Sequence, residues 1–163
     1  MLGPIYALFV KDIGGDILDA SFAGAVYALA AGLTTLISGK YFDKIKENEL
    51  IVVLGYVIIG FGFLLLGTIN SILSLLIIQI IIGLGEAIYS PAFDAVYSKH
   101  LDGKKSGSQW GTWESMNYFT MSVGAVIGGL VVTVAGFKIL FIIMTLMAFS
   151  SALYIYLLPR KVL

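Results

Sequence analysis

Long apolar stretches alternate with short polar ones along this chain of 163 residues. A helix needs about 20 apolar residues to cross the hydrocarbon core of a bilayer. Stretches close to that length cover 20–39, 50–69, 72–93, 115–137 and 139–158. Residues 1–10 are also apolar but half as long as a span, and we interpret this stub as the end of a sixth helix. The pattern predicts an all-α integral membrane protein, a single transmembrane bundle over 1–163 whose short connections make consecutive helices antiparallel.

Composition agrees with a membrane protein and charge placement indicates its orientation. Hydrophobic residues make up 59% of the chain and charged residues 12%, which leaves more apolar surface than a soluble domain of this size can bury. The ten Lys and Arg balance the ten Asp and Glu, so nothing indicates a nucleic-acid partner. Most basic residues lie in loops 40–49 and 98–109 and after the last span, which the positive-inside rule places in the cytoplasm. We expect a multi-pass protein of the cell membrane, with the lipid bilayer as its first partner.

The first of these loops carries the sequence SGKYFDKIKENEL. Gly39 would allow close helix contact at the membrane edge, and Asp43 could neutralise the N-terminal end of a neighbouring helix. Gly39, Asp43 and Lys44 resemble the loop signature of the major facilitator superfamily of secondary transporters. The alternative interpretation is a solvated turn that only sets the topology.

Two further stretches extend the resemblance to the whole chain. GTWESMNYFTMSVGAVIGG resembles the fifth-helix signature of the family, with Thr120 in place of one Gly and Ala125 in place of Pro. The matching glycines are Gly111, Gly124, Gly128 and Gly129. GLGEAIYSP resembles the Gly-rich fourth helix that precedes a Pro. Helix packing alone is the simpler explanation of most of these glycines, since small residues let helix backbones approach closely in lipid.

The resemblance implies one six-helix half of a transporter that has two halves, with the substrate site between them near the bilayer midplane. Half of such a transporter cannot alternate access by itself. The chain is then a fragment, one product of a split gene, or a half that pairs with a second half or another copy. Whether it corresponds to the N-terminal or the C-terminal half stays open.

Polar residues inside the predicted spans are the candidates for function. On the helix predicted over 72–93 and at its cytoplasmic end, polar residues and one glycine recur at steps of three or four and share one face: Gln79, Gly83, Glu86, Ser90 and Asp94. Glu86 lies near mid-depth, where an ionised carboxylate is costly, so it should face protein or water and be protonated much of the time. It is either a proton-coupling or cation-recognising carboxylate or a protonated hydrogen-bond donor between helices. Asp94 resembles a member of the family's gate cluster and is expected to pair with the 39–47 loop.

Other polar or small residues give weaker signals. Asn117 shares a helix face with Glu114 and is a further substrate candidate, whereas Glu114 better fits a helix-start cap. A ridge of small residues predicts a helix contact: Ala20, Gly24, Ala28 and Gly32. No nucleophile with a nearby base, phosphate loop or metal-ligand cluster is recognisable, so we expect neither an enzyme nor a cofactor or metal.

These features together predict that the chain is half of a secondary active transporter. The transporter would move a small solute by alternating access, with transport coupled to protons. A neutral or cationic solute is favoured because no Lys or Arg lies inside a complete span. The alternative is a non-transporting membrane scaffold or a remnant of a transporter.

Overall fold

A computed structural model describes residues 3–42, 45 and 47–159 of the chain. A 3-10 turn, Gly3–Ile5, leads into a short helix, α1 (Tyr6–Asp12). The longer helices are α2 (Ile17–Phe42), α3 (Asn48–Leu66), α4 (Ile72–Lys99) and α5 (Ser106–Leu157). The described part contains no strand, and four of its helices are long and apolar enough to cross a membrane. The predicted all-α membrane fold is confirmed.

The long helix α5 consists of two arms, 106–135 and 137–157, that meet at Gly136. Gly136 has a φ of 79°, a left-handed conformation that favours glycine. The first arm begins beside the C-terminal part of α4, where the ring of Trp113 lies 4.7 Å from that of Phe93. The second arm ends at that side again, because Ile155 packs against the cluster containing Ala92. The chain therefore reverses at a single residue, Gly136, which lies within the predicted span 115–137, two residues before the predicted break at Lys138.

The side of the bundle opposite to Trp113 holds its larger core cluster. Phe9 of α1 packs there against Phe137 and Phe141 of α5, with ring centroids 5.3 Å and 4.8 Å apart. Val10 and Leu75 are fully buried in the same cluster. The short helix α1 is thus held in place by the turn of α5 and the start of α4.

Helix α4 packs between α2 and α3, and glycines allow its backbone to approach both. A Cβ added at Gly83 would lie 2.7 Å from the carbonyl oxygen of Tyr27 in α2. On the other side, a Cβ added at Gly55 of α3 would lie 2.9 Å from the carbonyl oxygen of Gly85. Because any side chain at Gly83 or Gly55 would collide with these carbonyl oxygens, the helix backbones can lie this close only with glycine at both positions. These contacts hold α4 closely between α2 and α3.

Candidate functional site

A cavity of about 480 Å³ opens between α1, α2, α3, α4 and the second arm of α5. Its walls are mostly apolar and include Ile59, Phe63, Ile82 and Met144. Four polar side chains also line it: Tyr6, Tyr27, Gln79 and Glu86. A mostly apolar cavity with a few converging polar groups is the usual form of a small-molecule site.

Gln79 and Tyr6 connect α4 to α1 across this cavity. The Gln79 side chain is 8% exposed, and its Nε2 donates a hydrogen bond to the hydroxyl oxygen of Tyr6. A buried amide needs such a partner, since an unsatisfied polar group is costly in an apolar environment. The pair therefore holds a polar patch at one end of an apolar cavity.

Glu86 lies two turns further along α4 and is half-buried. It follows Gly83 by three residues, and the close contact of Gly83 with Tyr27 places α2 next to it. Tyr27 of α2 and Glu86 of α4 line the same cavity. A carboxyl group there lies between mostly apolar walls.

The remaining predicted polar residues lie elsewhere. Asp94 is exposed near the end of α4, within electrostatic range of the like-charged Glu114. Asn117 is exposed on the first arm of α5 and is not among the lining residues of the cavity. Of the predicted stripe, the structure thus brings Gln79 and Glu86 together and separates Asp94 from them.

The predicted gate motif is described only in part. Gly39 is half-buried within α2, and a Cβ added there would meet nothing within 4 Å. Asp43 and Lys44 lie outside the residues that the structure describes. Their pairing with Asp94 stays a prediction.

The family-signature glycines differ from one another in their surroundings. Gly128 is buried, Gly124 and Gly129 are half-buried, and Gly111 is exposed. A Cβ added at Gly111 or Gly129 would meet nothing within 4 Å. Their role in packing stays a prediction, and within this chain Gly128 is the member with a buried position.

Sequence reasoning missed the two tyrosines of the cavity and, in the α3–α4 contact, Gly55. Tyr27 stands seven residues inside an apolar stretch, far from the interfacial positions that tyrosines prefer, and that position was a usable signal. Tyr6 lies in the short stub, where the sequence gives no indication of its neighbours. Gly55 stands in no recognisable motif, so only the helix crossing reveals it, whereas Gly85 belongs to the Gly-rich stretch GLGEAIYSP.

A second cavity, of about 510 Å³, lies at the other end of the bundle between α3, α4 and the second arm of α5. Tyr56, Phe93 and Tyr154 contribute to its walls. Its one carboxylate belongs to Glu49, in the first turn of α3 and so at the loop end. Among the described residues, no group of three or more His, Asp or Glu could hold a metal ion. The Glu86 cavity is therefore the candidate site.

Comparison with known proteins identifies the family to which the chain belongs. The family model described as Major Facilitator Superfamily matches residues 1–162. Multidrug resistance protein MdtG of Erwinia billingiae is 23% identical over 165 residues, which cover 98% of this chain and 40% of that protein. Proton-coupled antiporter flippase LtaA of Staphylococcus haemolyticus is 27% identical over 135 residues, 78% of this chain and 32% of that protein.

An uncharacterized MFS-type transporter of Methanocaldococcus jannaschii is 26% identical over 128 residues, 78% of this chain and 31% of that protein. The chain thus spans 31% to 40% of the length of these relatives. No solved structure gives a significant match. The match over nearly the whole chain, together with the helices long enough to cross a membrane, shows that this multi-pass membrane protein belongs to the Major Facilitator Superfamily of transporters.

Proposed function

We propose that the chain forms one half of a secondary transporter that moves a small neutral or cationic solute by alternating access, with Glu86 coupling transport to protons. The observation that carries this proposal is the convergence of Glu86, Gln79 and the two tyrosine hydroxyls on one cavity within the membrane-spanning helices. In this family such sites lie between two halves, and a cavity open on one side is the form that half a site would have.

The chemistry of the cavity supports the same solute class. None of its lining residues is basic, so it offers no charge partner to an anionic solute. Gln79 and Tyr6 can exchange their mutual hydrogen bond for bonds to a neutral polar solute. Glu86 can release its proton as a cation enters and recover one as the cation leaves, because an ionised carboxylate between apolar walls needs a counter-charge.

The orientation of the half is part of the proposal. Lys40 and Lys99 end the parallel helices α2 and α4, and Lys138 follows the turn of α5 at the opposite side. We propose that the side with Lys40 and Lys99 faces the cytoplasm, where positive charge is enriched. Gly39, Asp43, Lys44 and Asp94 would then form the cytoplasmic gate motif.

The relatives support transport in general terms. One is named a multidrug resistance protein and another a proton-coupled antiporter flippase. Because this chain spans less than half of each, we propose that it works with a second half, either another copy or a different segment.

Reconstitution into proteoliposomes tests the proposal, with the chain alone and together with a candidate second half. A panel of neutral and cationic radiolabelled solutes is offered under an imposed proton gradient. Glu86→Gln keeps the size and hydrogen-bonding capacity of the side chain but removes its titratable proton. We expect the variant to lose uphill accumulation, by about tenfold or more, and to retain downhill exchange.

The matched control is Asp12→Asn, which removes an exposed carboxylate at the end of α1, outside the lining of the cavity, and should leave accumulation unchanged. Wild-type accumulation by Glu86→Gln would contradict the coupling role and leave Glu86 as a hydrogen-bond donor between helices. No accumulation of any solute by the reconstituted wild-type halves would favour a scaffold instead.

A further inference from the structure

Pro91 interrupts the hydrogen bonds within α4. In an α-helix each N–H donates to the carbonyl oxygen four residues earlier, and proline has no N–H. The carbonyl oxygen of Ala87 therefore lacks the N–H donor that residue 91 would otherwise supply. Ala87 is 2% exposed, so water has little access to this oxygen. A buried carbonyl without a donor destabilises the structure, and such groups are nearly always satisfied in native proteins.

Ser38 of α2 supplies the missing donor. Its Oγ lies 3.2 Å from the carbonyl oxygen of Ala87, across the α2–α4 contact, and the Ser38 side chain is itself 8% exposed. Gly83, one turn before Ala87 on the same face of α4, makes the close backbone contact with α2 described above. The two contacts together hold the face of α4 that precedes Pro91 against α2.

The Ser38 hydroxyl also has a second acceptor. The carbonyl oxygen of Thr35, three residues earlier in α2, lies 3.4 Å from the same Oγ. A hydroxyl carries one proton and donates fully to one acceptor at a time. If α4 moves away, Ser38 can turn to Thr35 and remain satisfied, so separating the helices leaves no donor unpaired on α2.

We infer that the Ser38 hydroxyl is a reversible latch that closes the gap left by Pro91 in α4 and holds α2 against α4 beside Glu86. The latch is closed when Ser38 donates to Ala87 and open when it donates to Thr35. It concerns the contact between α2 and α4 and does not depend on the proposed transport activity.

A double-mutant cycle on the full chain in lipid nanodiscs tests the latch. Ser38→Ala removes the donor and should lower the unfolding midpoint by roughly 2–6 °C. In Pro91→Ala the N–H of residue 91 can donate to Ala87 instead, so the same Ser38→Ala change should lower the midpoint by less than half as much. The matched control is Ser21→Ala, because Ser21 is an exposed serine of α2 that donates only to Ile17 of its own helix.

A second pair of variants keeps the test independent of Pro91. Ser38→Thr and Ser38→Val have the same shape, but only threonine retains the hydroxyl. The chain has no cysteine, so spin labels can be placed at Lys40 and Ser98, exposed residues near the ends of α2 and α4. We expect the distance distribution between the labels to stay narrow in Ser38→Thr and to broaden about twofold in Ser38→Val.

An equal loss of stability from Ser38→Ala with and without Pro91 would overturn the latch, since the hydroxyl would then not serve the carbonyl that proline frees. Equal distance distributions in the threonine and valine variants would overturn it as well. A smaller loss in the Pro91→Ala background, with broadening confined to the valine variant, is the result that supports it.

Discussion

Helices α2 and α4 both present glycines to their surroundings, yet the two sets of glycines differ completely in environment. In α4, Gly83 and Gly85 meet the backbones of α2 and α3 so closely that an added Cβ would lie within about 3 Å of neighbouring atoms. In α2, Gly24 and Gly32 stand on the regular ridge that suggests a helix contact, and a Cβ added at either would meet nothing within 4 Å. In lipid, a ridge of small residues shows that another helix could pack closely against it. The ridge alone does not show that another helix does so.

The difference follows from position in the bundle. Helix α4 lies between two neighbours, so glycines on opposite sides of it are both used. Helix α2 packs on α4 along one side only and turns exposed leucines such as Leu29 and Leu33 outward. In a bilayer those leucines are at no disadvantage, because lipid tails are as apolar as a protein core.

The largest expected effect comes from filling the α3–α4 contact. In Gly55→Ala the new Cβ would lie 2.5 Å from the Cβ of Tyr89 and 2.8 Å from its backbone nitrogen. Because the helices must separate to accommodate it, we expect a loss of about 3 kcal/mol in unfolding free energy. Denaturation of the reconstituted chain measures this loss. The control is Gly129→Ala, which has open space around the added Cβ. Equal losses of unfolding free energy in both variants would show that the close α3–α4 contact at Gly55 does not determine stability.

An intermediate effect is expected at the buried family glycine. Gly128→Leu introduces a large side chain at a buried position of the first arm of α5, and we expect a loss of about 2 kcal/mol. Gly111→Leu makes the same change at an exposed glycine of the same arm and should cost less than about 0.5 kcal/mol. Stability and migration on native gels are compared for both. If Gly128→Leu behaves like Gly111→Leu, its face points to lipid.

The smallest change in stability is expected for a substitution on the small-residue ridge of α2. Whether that change is a gain or a loss is the informative result. Gly32→Ala adds a methyl group into open space and reduces the flexibility of the unfolded chain, so the chain alone should become more stable by up to about 1 kcal/mol. The measurement is repeated with a candidate second half present. A loss of association there would show that a partner covers the ridge, whereas unchanged association would leave it facing lipid.

The sequence was a good guide to the helical fold, and two of its candidate residues line one cavity. Apolar length predicts the long helices because a membrane protein must satisfy its backbone hydrogen bonds within each segment. The helical period predicts Gln79 and Glu86 on one side of α4, and both line the same cavity. Asp94 belongs to the same stripe by period but lies too far along the helix axis to reach that cavity.

What the sequence could not supply depends on contacts between distant residues. The bond from Ser38 to Ala87 joins positions 49 apart, and no local pattern links a serine in one helix to a proline in another. The partner of Gln79 lies 73 residues away in the stub. Such pairs are set by how the helices cross, which hydrophobic periodicity leaves undetermined.

The turn of α5 limits how its two arms can move. Gly136 alone joins them, so the last residue of one arm and the first residue of the other are separated by only two Cα–Cα steps of about 3.8 Å each. Sliding one helix past another by a full turn requires about 5.4 Å. A connection this short has little slack, so a full-turn slip at this end of the bundle would require residues at the ends of the arms to unwind. Rearrangements of α5 that keep both arms helical instead pivot about Gly136 or carry both arms together as one hairpin.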